Sequence, residues 1–261
     1  MEVIPKRLWL TGIITGLVSG MLGVGGGLVL GPALILLGMP LRRATGTALV
    51  LIPFIALVAV IAELIIAPHN LDLMLATVIF IGGSFGVKIG SHLERHLNDK
   101  LLHYLFIALV LVSALRNIYS GLSPIEVLAT TSSFEILPQY FLYAASFGVV
   151  AGICAILFGV GGGVIVVPAL IITLEGMTFQ SASAISLLAM VPTALLAARS
   201  AHQQQRVDLR LAKDLSWVCL PAAAVGVALR NFSFSHHQLE LCFAGFLIYV
   251  ALRMLQRGSC P

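Results

Sequence analysis

Charge is what this chain has least of. Asp, Glu, Lys and Arg make up 10% of its 261 residues against 59% hydrophobic ones, and mean hydropathy is +1.04. Soluble domains carry roughly a quarter charged residues. So few charges cannot cover a water-facing surface, which excludes a soluble globular protein. The four cysteines, Cys154, Cys219, Cys242 and Cys260, form no C-x-x-C pair, which argues against a zinc or disulfide framework. No Gly-Lys-Ser/Thr follows a glycine turn, and no HExxH or deep Ser/His constellation is present, so neither a nucleotide site nor an intramembrane enzyme is indicated and no cofactor is expected. Seven histidines fall in loops or at helix starts; His92 and His96 lie beside Glu94 and Arg95 and read as a solvated face. The net charge of +4 fits anchoring to anionic lipid and requires no nucleic acid.

Long apolar runs stand in place of the missing charge. Six, at about 44–67, 73–91, 101–119, 181–198, 211–229 and 238–255, are near the ~20 residues that cross a bilayer. Two more, about 8–38 and 138–174, are longer and are interrupted by the same pentapeptide, Gly23-Val24-Gly25-Gly26-Gly27 and Gly159-Val160-Gly161-Gly162-Gly163, each followed by Pro-Ala-Leu. Lys6 and Arg7 precede the first run, but its pattern recurs at 148–174, where no signal peptide lies, so the N-terminus is expected to be retained.

Charge placement distinguishes two topologies. If each broken run crossed once, nine Lys/Arg would be cytoplasmic and six external; if each enters and returns as a re-entrant hairpin, thirteen are cytoplasmic and only Arg116 and Arg230 external. The positive-inside rule favours the second. Each arm is then ~20 Å of helix, enough to reach the midplane. The expected fold is an all-α polytopic membrane protein of two inverted repeats, each a glycine-broken hairpin plus three transmembrane helices, eight hydrophobic elements in all. The repeats are expected at 1–121 and 138–261 with an external linker at 122–137, the protein lying in the inner membrane with both termini cytoplasmic. Homo-oligomerisation is left open.

The duplication extends past the pentapeptide. Gly12 and Gly16 match Gly148 and Gly152, Pro32-Ala33-Leu34 matches Pro168-Ala169-Leu170, and Ala114-Leu115-Arg116 matches Ala251-Leu252-Arg253, with the offset staying near 137 residues. Gly82-xxx-Gly86-xxx-Gly90 and Ala222-xxx-Gly226 read as helix-packing stripes. The segment Gly16-Leu17-Val18-Ser19-Gly20-Met21-Leu22-Gly23-Val24-Gly25-Gly26-Gly27, then Pro32, then Ala44-Thr45-Gly46-Thr47, resembles the TauE/SafE sulfite exporter-like transporters over nearly the whole chain. The second copy is looser, with Ile156 in place of Gly20 and Ala182-Ser183-Ala184-Ile185 opposite Ala44-Thr45-Gly46-Thr47. The resemblance implies transport of a small sulfur-containing anion such as sulfite, sulfoacetate or thiosulfate.

Physical chemistry gives such an anion a place to bind. A glycine break at mid-membrane leaves backbone N–H groups uncovered and presents the positive end of the following helix dipole. The expected substrate site therefore comprises Gly23, Gly25, Gly26, Gly27, Gly159, Gly161, Gly162 and Gly163, with the hydroxyls of Thr45, Thr47, Ser183 and Ser186 completing an oxyanion's hydrogen-bond shell. The alternative is that the glycines merely permit close helix crossing and the hydroxyls bond their own helix carbonyls. Glu63 and Lys88 are the coupling candidates, although snorkelling from helix ends accounts for both. The function expected is a secondary transporter of a small anion working by alternating access, the alternative being a passive channel on the same scaffold.

Overall fold

The computed structural model describes residues 6–94, 96–122, 138–174 and 177–257, and among these the regular structure is helical. The expected linker lies outside the described residues apart from Leu122, as do Arg95, Glu175 and Cys260. Ten α-helices follow one another: α1 (Lys6–Leu22), α2 (Gly27–Leu36), α3 (Leu41–Ile66), α4 (Leu73–Glu94), α5 (Asp99–Leu122), α6 (Pro138–Phe158), α7 (Gly163–Thr173), α8 (Phe179–Gln203), α9 (Leu209–Ser233) and α10 (His236–Arg257), with a single 3₁₀ turn at Pro68–Asn70 between α3 and α4. The glycine pentapeptides are the breaks between α1 and α2 and between α6 and α7.

Helix α3 shows why this fold belongs in a bilayer. Its exposed positions Phe54, Leu57, Ile61 and Leu64 are as apolar as its buried positions Ala48, Ile52, Ile55 and Ala59. A helix apolar all round is stable only with protein on one side and hydrocarbon on the other. Among the described residues, six helices are long and apolar enough to cross: α3, α4, α6 over Phe141–Phe158, α8, α9 and α10 over His237–Leu255. Helix α6, which ends at the second glycine break, thus qualifies by length alongside five of the runs expected to cross, and α5, over the sixth, is 24 residues long. Helices α2 and α7, with 10 and 11 residues, are ~15–17 Å long and cannot cross. Helix α6 has 21 residues, ~31 Å, longer than the ~20 Å expected of each arm, because the apolar run ahead of the second break starts as early as Phe141.

The two halves interlock. Helix α4 packs along α6 and α9 along α1, while α3 packs against α8 and α5 against α10. Small residues set the first two contacts: a Cβ on Gly82 or Gly86 would collide with the carbonyl oxygens of Ala145 or Val149, and one on Gly16 or Gly20 with those of Cys219 or Ala223. With no hydrophobic driving force between helices in lipid, such close backbone approach supplies the van der Waals contact that holds them together.

Candidate functional site

Both glycine breaks adopt the same backbone. Gly23, Gly25 and Gly26 have φ of 70, 72 and 77°, and Gly159, Gly161 and Gly162 have φ of 66, 77 and 87°, a left-handed conformation that L side chains rarely enter. Gly26 and Gly162 are the residues preceding α2 and α7, and neither helix start has a side-chain cap. In the first break the Gly23 amide donates to the Ser19 carbonyl, and the next amide with a backbone acceptor is Val29, bonded to Gly26; in the second break the corresponding amides are Gly159 and Ile165. Each break thus leaves a run of first-turn donors without a backbone partner among the described residues, at the positive end of a helix.

These two helix starts lie against each other. A Cβ on Gly27 would collide with the Gly159 carbonyl oxygen and reach within 2.8 Å of Val160 Cα; one on Gly163 would collide with the Gly23 carbonyl oxygen and stand 2.9 Å from Val24 Cα. The breaks also rest on equivalent points of α8 and α3, Gly23 on Ser183 and Gly159 on Thr45. Ile52 and Met190, at matching positions of α3 and α8, both abut Gly25 and Gly161, so one side chain from each half closes the centre. Beside Met190 is a cavity with room for roughly one water, lined by Gly83, Gly161, Ser186 and Thr193 among others.

Of the four hydroxyl residues, Thr45, Ser183 and Ser186 touch the breaks while Thr47 meets the α8–α9 connection, and their protons are engaged in two different ways. Ser183 Oγ donates to Leu22 O at 3.5 Å and Ser186 Oγ to Gly23 O at 3.3 Å, tying the first break to α8. Thr45 and Thr47 instead donate back to Arg42 O and Arg43 O, at 3.2 and 2.7 Å. Thr47 Oγ1 also accepts from the Asp208 amide at 3.1 Å. Sequence reasoning missed two further hydroxyls: Thr15 and Ser19 of α1 are buried beside Gly26, and neither side-chain oxygen has a partner among the described residues. Their only sequence signal was a polar residue in an apolar arm; the second half has Ala151 and Ala155 there.

Charged residues gather at the two ends rather than the centre. Glu63, on the last turns of α3, is fully buried and not snorkelling: Oε2 accepts from Arg230 of α9 and, at 3.0 Å, from Asn231 Nδ2, while Oε1 accepts from Asn70 Nδ2 at 2.6 Å. At the opposite end Glu94, closing α4, takes both arms of the Arg206 guanidinium, one of them at 2.8 Å. Burial lowers the pKa of Arg206, and the facing Glu94 carboxylate opposes that shift. Lys88 is on an exposed face, its ammonium 5.9 Å from the Phe85 ring centroid, and is brought to neither cluster. The arginine partners of Glu63 and Glu94 escaped sequence reasoning because they lie 167 and 112 residues away.

Comparison with known proteins identifies the family. The sulfite exporter TauE/SafE family profile matches residues 2–117 and 144–260, nearly the whole described molecule on both sides of the linker. The chain belongs to the TauE/SafE family. Its described residues include six helices long and apolar enough to cross a membrane, as a multi-span member of that family would have. A probable membrane transporter protein of the family, YunE of Bacillus subtilis (strain 168), is 29% identical over 179 residues, 62% of this chain and 65% of that protein. This TauE/SafE chain thus spans just under two thirds of its curated relative's length, and no solved structure matches it.

Proposed function

We propose that this TauE/SafE protein is a secondary transporter that carries a small anion, sulfite or a thiosulfate-like or organosulfur anion, across the inner membrane by alternating access, with the substrate held between the two glycine breaks. The observation that carries this is the meeting of two uncapped helix starts, Gly27 against the second break and Gly163 against the first. Two like dipole ends, each near half a positive charge, repel when nothing lies between them and are stabilised by an anion that does. Ile52 and Met190 fill the space in the closed arrangement, so the anion enters as the two halves part. The same contact in both halves supports inverted repeats, with α1–α2 and α6–α7 as re-entrant hairpins. The basic residues Arg42, Arg43, Arg206, Arg210 and Lys213 then face the cytoplasm together with both termini.

Uptake of labelled sulfite and thiosulfate into proteoliposomes tests the function. Saturable influx, stimulated by an imposed ion or pH gradient, is expected; non-saturating flux insensitive to any gradient would identify a passive channel instead. For the topology, Arg43→Cys and His69→Cys, both at exposed positions, are expected to be labelled from the cytoplasm and the outside respectively. The reversed pattern would mean that each broken run crosses the membrane once.

A further inference from the structure

The cluster around Glu63 is built like an oxyanion site that the protein fills with its own carboxylate. Three donors converge on that carboxylate: the Arg230 guanidinium and the Asn231 amide from α9, and the Asn70 amide from the 3₁₀ turn. Asn70 is held in turn by Ser181 of α8, whose hydroxyl donates to Asn70 Oδ1 at 3.1 Å, and by Thr178, which donates to Ser181 Oγ at 3.0 Å. Arg230 is 0% exposed, yet its Nε and Nη1 have no partner among the described residues. A guanidinium buried with part of its fork idle is costly as a mere structural tie, because each unfilled charged donor has lost its water for nothing. The same fork suits a small oxyanion, which can take two of its N–H groups at once.

We infer that Arg230, Asn70 and Asn231 form a second anion-binding station, near the mouth opposite the basic cytoplasmic face, and that Glu63 gives up its place to the substrate by taking a proton. The inference rests on the anion-transport reading above. Charge balance requires the proton. Glu63 and Arg230 together are neutral, and a monoanion added to them would leave one uncompensated negative charge in a medium of low dielectric. One proton from solvent on a Glu63 carboxyl oxygen makes that group a neutral acid, and the anion's oxygens then accept from Arg230, Asn70 and Asn231. The step moves one proton and one monoanion together and breaks no covalent bond. Arg230 is the charged group that faces Glu63 among the described residues. Helices α2 and α6 carry no charged residue, α1 carries only Lys6 and Arg7 at its start, and α4 packs elsewhere with Asp72 exposed ahead of it. His69 on the 3₁₀ turn is exposed, and Arg199, His202, Arg210, Lys213 and Asp214 of α8 and α9 lie towards the other ends of those helices.

The test uses the full-length protein in proteoliposomes, with labelled sulfite as probe and two readouts: net influx with and without an inward proton gradient, and sulfite–sulfite exchange at equal pH. Glu63→Gln, which keeps a neutral hydrogen-bonding side chain but cannot be protonated, is expected to retain measurable exchange while losing gradient stimulation. Arg230→Gln is expected to lose both. Glu63→Gln/Arg230→Gln, which restores neutrality and protects the fold, is expected to purify as monodisperse protein without sulfite influx. Gradient stimulation in Glu63→Gln equal to that of the unmodified protein would overturn the inference, as would influx in the double variant equal to the unmodified protein's, which would mark the pair as a structural tie. If the unmodified protein takes up no sulfite, the anion-transport reading falls and this inference with it; failure confined to the variants sinks the inference alone.

Discussion

Gly27→Ala is expected to abolish transport, and Gly31→Ala, one turn further along the same helix, to leave it intact. A methyl on Gly27 would collide with the Gly159 carbonyl oxygen and come within 2.8 Å of Ile52 Cδ1, whereas a methyl on Gly31 meets nothing within 4 Å. Backbone cannot yield as the end of a flexible side chain can, so Gly27→Ala must push the second break away from the start of α2. Displacing a preorganised site by about 1 Å lowers function on the order of 100-fold. Gly31→Ala replaces glycine in a helix interior with the best helix former, worth up to about 1 kcal/mol in favour of the variant. Both proteins should reach the membrane, and initial rates of sulfite influx compared at equal protein density give the answer. Equal rates for the two variants would mean that close contact between the breaks is irrelevant to transport.

The second large effect is expected from Glu94→Ala. It leaves Arg206, whose side chain is 10% exposed, without the carboxylate that takes both arms of its guanidinium. Breaking a buried ion pair from one side typically costs roughly 3–5 kcal/mol, because the remaining charge stays desolvated. Arg206 also sits where the α8–α9 connection meets α3: a Cβ on Gly46 would stand 2.5 Å from its carbonyl oxygen. A distorted connection would therefore disturb the helix that carries Thr45 and Ile52. The expected result is a marked drop in the temperature at which the detergent-solubilised protein aggregates, partly reversed in Glu94→Ala/Arg206→Ala. An unchanged aggregation temperature in the single variant would show that the pair contributes little. Asp208 with Arg43, by contrast, is a pair at 3.2 Å with Arg43 well exposed, and its loss should be nearly silent.

Duplication is what made the centre of the molecule legible. The two pentapeptides announced matching backbone breaks, and all three positive-φ glycines recur at corresponding places. The glycine stripes of α4 and α9 were readable as packing, and the structure shows α4 against α6 and α9 against α1. The length of α6 was less legible, because hydropathy marks where an apolar run begins but not how far a helix extends around a break. Glu63 was misread for a related reason: a charge near the end of an apolar helix can snorkel outward or turn inward, depending on how the helix is rotated. That rotation is set by α9 packing beside α3, which places Arg230 opposite Glu63. Periodicity does not help where lipid-facing and core-facing positions are equally apolar, as Leu57 and Ile55 are on α3. The hydroxyls show the same limit, since the carbonyls that receive Ser183 and Ser186 are 161 and 163 residues away.

The most direct test of a substrate site between the glycine breaks is a structure of the protein in lipid nanodiscs with saturating sulfite, compared with one in chloride alone. Expected in the sulfite sample is density between the starts of α2 and α7, within hydrogen-bond distance of backbone amides in both breaks, with Ile52 and Met190 drawn apart. Sulfite seated elsewhere, with Gly27 still pressed on Gly159 and Ile52 and Met190 unmoved, would contradict it.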